Sequence, residues 1–133
     1  MENRTVDLVV DANIDFAYAL AFENVSNSGF GEQVSPMDIS DLSLRGSISA
    51  DIEGTEHLAD FSFRKVKPEA GITSIELDKD TVKILTSVAE TERDKFNPRL
   101  RFVGYYDVIS SNKGMSDVRI LEGKVYISDG VTK

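Results

Sequence analysis

LRFVGYYDVISSNKGMSDVRILEGKVYIS, residues 100–128, decides the fold. Leu100, Phe102, Gly104, Tyr106 and Val108 alternate against Arg101, Val103, Tyr105 and Asp107. After Asn112-Lys113-Gly114, the set Val118, Ile120, Glu122, Lys124, Tyr126 and Ser128 alternates against Arg119, Leu121, Gly123, Val125 and Ile127. A period of two on each side of a glycine-containing turn predicts two long strands in a hairpin. Both faces carry apolar residues, which places these strands centrally.

Shorter β signals surround the hairpin. Thr5 to Val10 alternates around Val6, Leu8 and Val10, and Asp11-Ala12-Asn13 follows as a turn. Asp15 to Phe22 sets Phe16, Tyr18, Leu20 and Phe22 against three alanines, a strand pattern with a helix as the competing reading. Asn24 to Ser35 is rich in Asn, Ser and Gly and reads as a loop, which at this length is either mobile or used for contact. Asp41 to Asp51 alternates again, and Gly46 in its middle suggests a bulge or bend. A strand is expected from near Ala59 to Val66, and another over Ile72 to Leu77. Asp78 and Asp80 then suit the start of a helix of one or two turns between Asp80 and Ala89. Glu90 to Asn97 is a charged connector ending at Pro98.

About seven strands at this spacing, with no helix long enough for parallel crossovers, predict an antiparallel two-sheet β-sandwich. The whole chain, 1–133, is expected to form one domain.

Composition narrows the function. Net charge is −8, which argues against nucleic acid and against anionic membranes as partners. There is no cysteine, so disulfides, thiolate nucleophiles and zinc-thiolate sites are excluded. No signal peptide and no run of transmembrane length is visible. His57 is the only histidine and reads as a surface residue beside Glu56. There is no Gly-x-Ser-x-Gly and no P-loop. The acid pairs Asp38/Asp41, Asp51/Glu53 and Asp78/Asp80 lack the spacing of a calcium loop. No catalytic, cofactor-binding or metal-ligating residue is therefore assigned, and no cofactor is expected. Phe16, Tyr18, Phe22, Phe61 and Phe63 sit at core periodicity, which leaves Tyr105 and Phe30 as the exposed aromatic candidates.

The terminal stretch also has a family likeness. Tyr105-Tyr106-Asp107-Val108, a Gly-containing turn, Arg119 to Ser128, then Val131-Thr132 resemble the end of the immunoglobulin-like β-sandwich modules of tailed-phage tail-fibre and baseplate proteins. Met37-Asp38-Ile39-Ser40 and Ile75 to Thr81 resemble upstream parts of the same pattern. The connector from Lys83 to Phe96 is longer than that pattern. The resemblance implies an immunoglobulin-like, free-standing module with no enzymatic role. It implies a virion structural protein of the tail, baseplate or neck, assembled in the host cytoplasm, with other virion or tail proteins and copies of itself as partners. A carbohydrate- or cell-surface-binding sandwich module is the alternative, and a small acid-dependent hydrolase is a more distant one. In the sequence, Tyr106, Gly114 and Gly123 have fold-making roles: a buried ring with a bonded hydroxyl, a turn, and room for a close neighbour.

Overall fold

In the computed structural model, residues 4–29 and 31–131 are described. In chain order the elements begin with β1 (Arg4–Thr5), β2 (Leu8–Asp11), β3 (Phe16–Ala21), β4 (Glu23–Ser28), β5 (Gly31–Pro36) and β6 (Leu42–Ser49). They continue with β7 (His57–Asp60), β8 (Ser62–Lys67), a 3-10 turn (Pro68–Ala70), β9 (Ile72–Leu77), α1 (Lys79–Val88), β10 (Leu100–Asn112) and β11 (Val118–Ser128).

The long hairpin is the middle of the larger sheet. β10 pairs antiparallel with β11 on one side and β6 on the other. β7 extends the sheet beyond β6. On the far side β1 and then β2 run parallel to β11, one after the other along the same edge. The smaller sheet has the order β3-β9-β8, all antiparallel. Between the sheets lie Leu8, Val10, Ile48, Ile75, Leu77, Val108, Val125 and Ile127, all buried. The protein is a β-sandwich with one short helix.

Among the described residues eleven strands replace the expected seven, and each extra one has a local cause. The expected strand from Thr5 to Val10 is cut at Val6-Asp7. There the Asp7 carboxylate takes over as acceptor for the Lys124 N–H, at 3.0 Å. The strand expected from Ala59 is cut at Phe61, where the chain crosses from one sheet to the other. Phe61 is buried at this corner, and its N–H donates to the Gly46 carbonyl at 3.0 Å. Residues 24–35, expected as a loop, form most of the β4–β5 hairpin.

Gly46 does not mark a bulge: the β6–β10 register runs through it without a break. It marks a close approach instead, because a Cβ there would lie 2.7 Å from the Asp107 carbonyl and 3.1 Å from the Phe61 ring. The bulges lie elsewhere, one of them between Phe102 and Gly104.

Helix α1 has ten residues, longer than the one or two turns expected. Val82 and Leu85 seal it against the core. Asp78 is its N-cap, accepting from the Thr81 N–H at 2.8 Å, while Asp80 sits in the first turn where the helix dipole favours an acid. Asp78→Ala should therefore lower stability by about 1 kcal/mol, read as a fall in urea midpoint with an unchanged slope. The connector after α1 is tied down by Asp129, which accepts from Arg101 Nε at 2.9 Å and Arg93 at 2.8 Å.

Candidate interaction site

Two features stand out from the sandwich: a groove on the outer face of the larger sheet and the β4–β5 hairpin. The groove holds about 580 Å³. Ser47, Ser49, Tyr105, Asp107, Glu122 and Lys124 lie along it, and Asp51, Ile52, Gly54 and His57 form part of its lining.

Several of its polar groups already bond to neighbours. Arg119 Nε donates to Asp107 at 3.0 Å, Ser47 to Asp60 at 2.7 Å and Ser49 to Asp51 at 2.7 Å. Asp51 also accepts from the Glu56 N–H at 2.8 Å and from the Thr55 hydroxyl. Bonds from Thr55, Glu56 and Ser49 hold its carboxyl far below the usual carboxylate range. His57 lies 2.9 Å from Asp60, and its bond comes first among those lowering the Asp60 carboxyl. A general acid would need a carboxyl moved upward, and these two move the other way. Asp51 instead ties its loop to β6. Asp51→Ala should speed amide exchange across residues 51–56 while leaving the β10–β11 core protected.

Three of the acids weighed as cation ligands, Asp38, Asp51 and Asp78, have other local roles. Asp38 accepts from the Ser40 N–H at 2.9 Å and hydroxyl at 2.6 Å, Asp51 organises its turn and Asp78 caps α1. Among the described residues no three His, Asp or Glu side chains gather as a metal site.

One aromatic cluster lies beside the groove. Phe102 meets Tyr105 at 5.4 Å and Tyr126 at 5.8 Å between ring centroids, both edge-to-face. Strict alternation puts Phe102 with Tyr106, but the Phe102/Gly104 bulge turns it to the face of Tyr105. Of the two aromatic candidates read from sequence, Tyr105 therefore has companions, and Phe30 lies outside the described residues.

The β4–β5 hairpin pairs with neither sheet. Val25 pairs with Val34, Glu23 with Pro36 and Asn27 with Glu32. Directly opposed residues share a face, so one face of this arm carries both valines, the proline and both glutamates. Val25 is 58% exposed and Val34 54% exposed, so the valine pair faces solvent. Two polar six-residue runs around Gly29 and Gly31, with Val25 and Val34 at mirrored positions, were the signal for this hairpin.

The arm springs from the end of the smaller sheet, where the Met37 N–H donates to the Phe22 carbonyl at 3.0 Å. β8 forms one edge of that sheet and carries Arg64, Lys65 and Lys67 around the exposed Val66. Arg64 is held by Glu76 at 3.0 Å, and Lys65 donates to the Ser40 carbonyl at 2.8 Å. Elsewhere, Phe96 is 94% exposed at a turn where Asp94 accepts from the Phe96 and Asn97 N–H groups.

A search of curated proteins returns no match for the chain. A family model described as "LtfC-like, beta-sandwich domain" matches residues 2–128. The sandwich and its tie to tailed-phage fibres thus agree with the resemblance read at residues 105–132, under this family description rather than an immunoglobulin-like one. The chain belongs to the LtfC-like β-sandwich domain family, a family associated with phage long tail fibres.

Proposed function

We propose that this protein is a bacteriophage virion structural component of the tail, baseplate or neck, acting by protein–protein assembly rather than catalysis. The observation that carries the reading is the family match over residues 2–128. The residues fit it: the groove's Asp107 and Arg119 are paired with each other and its Asp51 is bonded within its own loop, and the most exposed apolar side chains lie on the arm and on loops. In this reading residues 1–133 act as one domain with no catalytic, cofactor or metal-binding group. Its partners are other tail proteins and copies of itself, and it resides in the virion after assembly in the host cytoplasm. A net charge of −8 favours protein partners over nucleic acid or anionic membrane. Mass spectrometry and immunogold imaging of purified virions test the proposal. Finding the chain on tails supports it, and its absence from particles overturns it.

One observation favours a second reading, a carbohydrate-binding module. The Phe102–Tyr105–Tyr126 cluster could form a stacking surface beside a polar groove. Glycan-array binding lost in Tyr105→Ala would support it, and an array without hits would remove it.

A further inference from the structure

We infer that the β4–β5 arm adds to the β8 edge of a second copy of this chain, joining copies head to tail. The inference rests on the assembly role just proposed and names its partner and contact.

An isolated two-stranded hairpin is marginal in water, because one pair of strands buries little. Here the arm pairs only with itself, and its two outer edges lack a strand partner among the described residues. An extended strand with unused backbone groups can add to an open sheet edge, where main-chain bonds supply affinity and side chains supply choice.

Charge selects the edge. The arm carries Glu23 and Glu32 and no basic residue. β2 ends in Asp11, β3 is flanked by Asp15 and Glu23, and β7 ends in Asp60. These edges repel the arm. β8 is the most basic edge, with Arg64, Lys65 and Lys67 and no acid, although Arg64 is held by Glu76; β1 carries only Arg4 and is two residues long.

The same charges exclude symmetric alternatives. Arm against arm sets glutamates together, and β8 against β8 sets cations together. What remains is a heterologous contact, which closes into a ring or grows into a filament according to the rotation between copies.

Light scattering on size-exclusion fractions across a concentration series tests this, with circular dichroism to confirm folding. The wild-type chain should self-associate, and less so as salt rises. Glu32→Lys or Lys67→Glu alone should weaken association about tenfold or more. The double variant Glu32→Lys/Lys67→Glu should recover much of it, which a simple folding defect could not do. A wild type that stays monomeric at every concentration overturns the inference, as does an oligomer indifferent to both single variants. So does association that appears only after another tail protein is added. None of these outcomes touches the assembly role, which stands or falls on whether virions contain the chain.

Discussion

Tyr106→Ala is expected to lower folding stability by about 3–5 kcal/mol, and Tyr106→Phe by about 1–3 kcal/mol. The ring is 4% exposed and packs edge-on against Phe61 at 5.8 Å. Its hydroxyl donates to the Val6 carbonyl at 2.5 Å, linking positions a hundred residues apart. Phenylalanine keeps the packing and leaves that inward-turned carbonyl unpaired, whereas alanine also opens a cavity beside Phe61. Urea titration separates the two: both midpoints fall, alanine's further. The pH dependence adds a second signature. Burial first, then Tyr18, Asp7 and Glu122, push the phenol's pKa well above its usual value. An unfolded tyrosine ionises near pH 10, while the folded one holds its proton. The unfolded state therefore loses protons first, and stability falls as pH rises above about 10. Tyr106→Phe should flatten that alkaline fall. An alkaline limb as steep as the wild type's would show that the hydroxyl is not shielded as described.

The frame of this fold was legible because β10 and β11 alternate over long runs, Leu42 to Ser49 alternates as well, and Ile72 to Leu77 reads as a short strand. Asp78 was legible as a cap because its chemistry is local. Features set by distant partners were not. Nothing near Val6 in sequence announces that its carbonyl turns toward Tyr106. Phe61 looks like any strand residue until the chain leaves one sheet for the other there. Phe102 was assigned to the wrong face because one bulge inverts parity, and a bulge has no signature in periodicity. The arm was hidden by composition: asparagine, serine and glycine read as loop, while Val25 and Val34 showed their meaning only once paired. The interaction surface was thus the less legible part, since an exposed strand that packs on nothing in its own chain leaves no core pattern to read.

Gly123→Ala should be as damaging as a substitution in the core, about 2–4 kcal/mol. Gly123 lies directly opposite Tyr106 in the β10–β11 register. Because Gly123 has no side chain, the Val6 peptide can rest on the sheet where a Cβ would stand, and that Cβ would collide with the Val6 carbonyl. Three groups thus form one device: Gly123 makes the space, Val6 fills it and Tyr106 bonds what fills it. Any side chain at 123 pushes the edge away, and β2 goes with it, exposing Leu8 and Val10, now 2% and 0% accessible. Gly114→Ala is the control: it has φ of 80° but open space around it, so only the backbone preference is lost, about 1 kcal/mol. Amide exchange should rise across residues 4–11 in Gly123→Ala and stay unchanged there in Gly114→Ala. The sharper measurement is a double-mutant cycle. If both residues act on the Val6 carbonyl, Tyr106→Phe should cost much less in the Gly123→Ala background than in the wild type. Strictly additive losses would mean that the hydroxyl bond and the glycine gap stabilise the edge separately.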